Sequence, residues 1–242
     1  MISEKLKQQL GDWECLYPFF EKPDWMKIKD VIRPDIEKVT PDVDNWFKAF
    51  GSCPYNELKV VWLGMSPYYT VDGYTKALTA DGLAFSTDTK HSVPPSLFKI
   101  YKGMEADLWD RMNLSMDRKN NLTFLANQGV LLLNSALTTV LGDSKAHLMA
   151  WKPFIEFVIN TLNKEKTDIM FVGFGTFAND LLRKVDRTKH MVIELEHPAA
   201  SAYASRDWDH NNVFSKTDEF LSRKDKGCIL WDNYLVELEV PF

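Results

Sequence analysis

Apolar residues in this chain gather in short runs, separated by longer stretches in which they recur every three or four positions. The runs at 59–63, 130–134, 169–173 and 191–195 are too short for helices and rich in Val, Leu, Ile and Phe, as expected of strands buried on both faces. Between them, Leu97, Ile100, Tyr101, Met104 and Leu108, then Phe154, Phe157, Val158 and Leu162, then Phe177, Leu181 and Leu182 follow a helical period. Strands alternating with helices predict parallel pairing through right-handed crossovers, with ligands at the C-terminal ends of the strands. The expected fold class is therefore α/β, a three-layer sandwich around a central, mostly parallel four-stranded sheet. Residues 1–50 differ, reading as helical segments broken by Pro18, Pro23, Pro34 and Pro41 and anchored by Trp13, Trp25, Trp46 and Phe50. Residues 1–242 are expected to form one domain, with 1–50 as an N-terminal helical region. The polar stretch 70–80 is expected to be a surface excursion beside the strand ends.

Composition narrows the function classes. With 242 residues, 45% of them hydrophobic, the chain can bury one sizeable core. A net charge of −5 argues against binding nucleic acid by bulk electrostatics, so any such contact must be local. Cys15, Cys53 and Cys228 are odd in number and far apart, which suits reduced thiols better than a disulfide framework or a metal site. The charged start Met1-Ile2-Ser3-Glu4-Lys5 lacks the apolar run of a secretory segment, and no stretch has the roughly 18 apolar residues of a membrane span. An intracellular protein is expected, cytoplasmic or associated with a nucleoid or nucleus, without a membrane partner. The charge clusters at 184–189 and 223–226 read as solvated faces.

Chemistry concentrates at the four strand ends. The first gives Gly64-Met65-Ser66-Pro67-Tyr68-Tyr69, the second ends in Asn134, the third gives Gly173-Phe174-Gly175-Thr176 and the fourth ends Glu196-His197-Pro198. Asn134 carries both a donor and an acceptor, suited either to the edge of a pyrimidine or to capping the next turn. His197 is a candidate N–H donor to a developing oxyanion, or a structural histidine. Phe85 is a candidate base-stacking surface, or a core residue. Gly173-Phe174-Gly175-Thr176-Phe177-Ala178 also matches a GxGxxA dinucleotide fingerprint, with Glu194 or Glu196 about twenty residues on. That pattern normally follows the first strand of its unit, whereas here it follows the third.

Together these segments resemble family 1 uracil-DNA glycosylases from about Trp46 to Tyr234. The family's water-activating motif GQDPYH is occupied by Gly64-Met65-Ser66-Pro67-Tyr68-Tyr69, and its GLAFS, PPSL and LLLN segments recur as 82–86, 94–97 and 131–134. Its HPSPLS loop appears as His197-Pro198-Ala199-Ala200-Ser201-Ala202. The resemblance implies DNA, single- or double-stranded, as partner, and base-excision repair as process. It also implies no cofactor and no metal. Phe85 would stack on an extruded base, Asn134 read its edge, Tyr68 block a thymine methyl and His197 support the departing uracil anion. Pro94, Pro95, Ser96, Gly175, Thr176, Ala199 and Ser201 would contact the DNA backbone, and Met65 would floor the base pocket.

The departures from the family pattern decide what is expected. Ser66 stands where the family has an Asp that orients water and stabilises the sugar cation; a hydroxyl can hold a water but supplies no negative charge. Met65 and Tyr69 replace Gln and His, and the loop after His197 lacks the wedging Leu, leaving Tyr203 or Trp208 as substitutes. Asp72 or Asp81 in the lengthened excursion could return a carboxylate. Two outcomes are open: handicapped N-glycosidic hydrolysis of uracil, or a non-hydrolytic homologue. The second would bind or present a pyrimidine, plain or modified, or serve as a DNA-bound accessory subunit with a protein partner.

Overall fold

A computed structural model describes residues 2–108, 118–203 and 206–231. The N-terminal layer holds α1 (Glu4–Leu10), capped by the Ser3 hydroxyl accepting from the Leu6 N–H, and α2 (Pro23–Ile32), whose first position is Pro23, where a missing N–H costs nothing. The strand β1 (Val39–Thr40) and α3 (Lys48–Ser52) lead to β2 (Val60–Gly64), the first strand of the main sheet. The helices α4 (Pro95–Asp107) and α5 (Thr123–Ala126) then precede β3 (Val130–Asn134). After β4 (Thr139–Val140) come α6 (Leu148–Glu165), β5 (Met170–Phe174), α7 (Thr176–Leu182), β6 (Met191–Leu195), α8 (Pro198–Tyr203) and α9 (Val213–Ser222).

The central sheet runs β3-β2-β5-β6, with every pairing parallel. Each expected strand is present, two of them displaced by one residue. The short antiparallel pair β1–β4 was not legible, because two residues per strand carry no alternation to detect. The helix expected around 154–162 is longer, starting at Leu148 and running through Pro153.

Strand periodicity sorts the core into two faces. Val60, Trp62 and Gly64 point one way, in register with Val130, Leu132 and Asn134, and Trp62 packs against Phe85, Phe174, Phe214 and Trp231. Gly173 points the other way, where a Cβ would collide with Asn179 and Leu182 of α7, so glycine lets that helix lie close to the sheet. Beyond, Phe154 and Trp151 of α6 interlock edge-to-face with Phe47 and, for Phe154, with Phe19 and Phe50 of the N-terminal layer. Of the expected N-terminal anchors, Trp13, Trp46 and Phe50 are buried and Trp25 is half-buried. The chain enters the sheet at β2, turns to β3 on one side and then to β5 on the other, so a crevice opens at the C-terminal ends of these strands.

Candidate active site

A cavity of about 750 Å³ occupies that crevice, lined by 65–73 after β2, by Phe85, by 92–96 before and within α4, by Asn134 and by His197 and Ala199. Its geometry begins with a glycine. Gly64 and Asn134 are register partners on one sheet face, and a Cβ on Gly64 would lie 2.7 Å from Asn134 Oδ1 and 3.5 Å from Phe85 Cε2. The amide oxygen and the ring edge thus flank a single point, close enough to contact one heterocycle. Asn134 is buried, yet its carboxamide has no hydrogen-bond partner within the described residues. An unspent amide at the floor of a cavity is a recognition group awaiting a polar partner.

Phe85 is held in an unusual conformation, with φ of 65°, a region that bulky residues rarely adopt. Two contacts fix it. The Tyr68 hydroxyl donates to the Phe85 carbonyl at 2.9 Å, and the Phe85 ring packs edge-on against Phe174 at 4.9 Å. Burial pushes the Tyr68 phenol far above its ordinary range, so it remains a donor. Tyr68 therefore stands as a rigid wall beside the aromatic face.

His197 completes the far side, its ring centre 5.8 Å from that of Phe85. Its Nδ1 accepts from the Ala199 N–H at 3.2 Å, which leaves the proton on Nε2. Burial lowers its pKa, so at neutral pH the ring is an uncharged N–H donor. Gly175, at φ of 93°, backs this residue: a Cβ there would lie 3.1 Å from His197 Cβ. Ser66 is half-buried on the cavity wall with no hydrogen-bond partner within the described residues, and Met65 lies beside it, packed against the core.

Other expected site residues are placed differently. Pro94, Pro95, Ser96 and Ala199 line the cavity; Gly175, packed against His197, and the exposed Thr176 are not part of its wall. Ser201 is fully buried and its hydroxyl donates to the Pro198 carbonyl, so it braces α8 from within and offers nothing to the surface. Trp208 cannot wedge into a base stack: it is buried, stacked on Phe174, with its indole N–H on the Glu196 carbonyl. The Tyr203 side chain falls outside the described residues.

The two loop aspartates are placed differently. Asp81 is buried away from the cavity, accepting from the Leu83 N–H, the Ser86 hydroxyl and the Lys48 ammonium. Asp72 does reach the cavity wall, but its Oδ1 accepts from the Tyr74 and Thr75 N–H groups and the Thr75 hydroxyl, and the Thr75 N–H heads the causes that hold its pKa below the usual carboxylate value. Glu194 and Glu196, the ribose-ligand candidates of the dinucleotide reading, form exposed ion pairs with Arg187 and Arg206. Among the described residues, no three His, Cys, Asp or Glu side chains gather to hold a metal ion, and no helix is long and apolar enough to cross a membrane.

What sequence reasoning missed here is the part played by small residues and backbone. The spacing of Gly64 from Asn134, the support of His197 by Gly175 and the Tyr68 bond to the Phe85 carbonyl depend on three-dimensional neighbours. Gly64 alone carried a signal, as a glycine within an otherwise apolar strand.

Comparison with known proteins places this geometry. Residues 50–222 match the model of the uracil DNA glycosylase superfamily. A uracil-DNA glycosylase of Campylobacter jejuni subsp. doylei is 34% identical over 225 residues, 91% of this chain and 92% of that protein. One from Phocaeicola vulgatus is 33% identical over 95% of this chain and 98% of its own length. The crystal structure of mimivirus uracil-DNA glycosylase is similar with a TM-score of 0.82 at 27% identity, covering 94% of this chain and 89% of that one.

Proposed function

The chain belongs to the uracil DNA glycosylase superfamily, and from that premise we propose that its cavity receives a pyrimidine extruded from DNA and excises uracil slowly. One observation carries the reading: the unpartnered Asn134 amide and the Phe85 ring flank a single point, with the Nε2–H of a neutral His197 alongside. In the proposed complex the base stacks on Phe85, as flipped bases do on aromatic faces, and its polar edge pairs with the donor and acceptor of Asn134. Tyr68, pinned to the Phe85 carbonyl, crowds any substituent on the ring and favours uracil over thymine. Ser96 and the Pro94-Pro95 turn, on the cavity wall, guide the neighbouring phosphate.

Hydrolysis breaks the bond between the sugar C1′ and the base, with the electron pair leaving on the uracil ring. His197 donates a hydrogen bond to that developing anion, and as a neutral ring it does so without first losing a proton. A water held by the Ser66 hydroxyl adds to C1′, and the proton it loses passes through solvent to the departed uracil anion. What position 66 lacks is a negative charge beside the sugar cation. If that charge is worth about 3 kcal/mol, as for one preorganised electrostatic group, the reaction runs slower by a factor of about a hundred. The non-hydrolytic alternative keeps the same pocket, and one assay separates the two. Uracil-containing oligonucleotides are incubated with the protein and treated with alkali to break the strand at abasic sites. Slow, uracil-specific breaks are expected from the wild type, accelerated by about a hundredfold or more in Ser66→Asp. A wild type that binds without cleaving would select the alternative.

A further inference from the structure

The excursion after Tyr69 is an ordered hairpin. Val71 and Leu78 form an antiparallel bridge, the Thr79 N–H donates to the Thr70 carbonyl, and the Thr70 and Thr79 hydroxyls lie 3.1 Å apart. At the tip, the Asp72 carboxylate ties down the N–H groups of Tyr74 and Thr75, while the Asp72 N–H donates to the Ala77 carbonyl. This bracing holds out a large aromatic side chain, because Tyr74 is 80% exposed, more than any other large hydrophobic residue described. Leaving that much apolar surface in water on a well-braced turn is unfavourable unless something covers it.

Tyr74 also has a neighbour from a different loop. Its ring lies 4.9 Å from that of His91, tilted by 39°, and His91 belongs to the segment leading into Pro94, Pro95 and Ser96. The two loops frame the cavity mouth: Asp72 and Gly73 line it from one, Thr89 and Ser92 from the other. Beside His91, Lys90 is exposed and has no ion-pair partner among the described residues. An aromatic surface, an imidazole and a free ammonium, continuous with a pocket for one base, match the requirements of single-stranded nucleic acid, which needs stacking faces and local cations. Such local cations also suit a protein whose overall charge is −5.

From this arrangement we infer that Tyr74 and His91 form a second stacking platform, which holds the nucleobase next to the extruded one. The inference rests on the base-pocket reading above. With small residues at 199–202 after His197 and Trp208 buried, the platform steadies the strand by capturing a neighbour that is already unpaired, and it favours single-stranded over duplex DNA.

A single-stranded oligonucleotide carrying a non-cleavable 2′-fluoro-2′-deoxyuridine, with fluorescent 2-aminopurine placed in turn on its 5′ and 3′ sides, tests this. The wild type is expected to quench one of the two positions on binding, and Tyr74→Ala to abolish that quenching and weaken binding by about tenfold, the worth of one base stacked on an aromatic ring. Tyr74→Phe, which keeps the face and loses the hydroxyl, is expected to retain both. Uracil-dependent binding in which Tyr74→Ala matches the wild type overturns the platform and leaves the pocket standing. Binding that ignores uracil, unchanged in Asn134→Ala, overturns the pocket and the platform with it.

Discussion

At Gly64 a hydrogen in place of a methyl group leaves room for the proposed base pocket. Asn134 Oδ1 lies 2.7 Å from where a Cβ would be built, well inside van der Waals contact, and the Ala84 Cβ and the Phe85 ring edge are next, both at 3.5 Å. Gly64→Ala therefore displaces the amide while leaving the strand pairing of β2 intact. The expected outcome is a loss of about 2 kcal/mol in uracil-dependent binding, roughly thirtyfold, as for a misplaced recognition hydrogen bond. Unfolding midpoints of the two proteins should remain close, since a methyl group is added at the sheet's end and no buried contact is deleted. Titration of a uracil oligonucleotide alongside a thermal melt separates the two effects. In the proposed mechanism Ser66 acts at the same scale with the opposite consequence, leaving the pocket's shape untouched and supplying no charge.

At the scale of elements, the sheet was legible because β2, β3 and β5 are buried throughout and so carry nearly uninterrupted apolar runs, while the half-exposed edge strand β6 keeps enough apolar residues around Glu194 to be read. Asn134 stood out for the opposite reason, as a polar residue ending one of those runs. Phe85 and His197 were legible as candidates, but their mutual placement was not, since it depends on a left-handed backbone at Phe85, a Tyr68 bond spanning 17 residues and the close approach of Gly175. The sequence also suggested roles that packing forbids. Trp208 and Ser201 read as surface residues from their positions after His197, yet both are drawn inward, one by the Phe174 ring and the other by the Pro198 carbonyl. The excursion at 70–80 read as a polar surface loop, and polarity gave no hint that its ends would bond into a hairpin presenting Tyr74.

For the whole molecule, the buried His147 and His190 and the half-buried His197 shape how the fold responds to acid. His147, His190 and His197 all have pKa values lowered from 6.5, in each case chiefly by burial. As pH falls below 6.5 the unfolded chain takes up protons that the folded chain refuses, so folding stability declines through that window. Asp81, raised by burial, acts in the opposite sense. The melting temperature is expected to drop between pH 7 and pH 5, less so in His190→Gln; a flat profile over that range would contradict the assignment. Function makes a sharper demand, since every role proposed for Phe85, Asn134, Tyr68 and His197 requires a base to leave the DNA and enter the cavity. A crystal structure of the protein with an oligonucleotide carrying 2′-fluoro-2′-deoxyuridine tests this most directly. The uracil ring should lie on Phe85 with its edge against the Asn134 amide; a uracil still stacked within the DNA, with the cavity holding only solvent, would contradict the account.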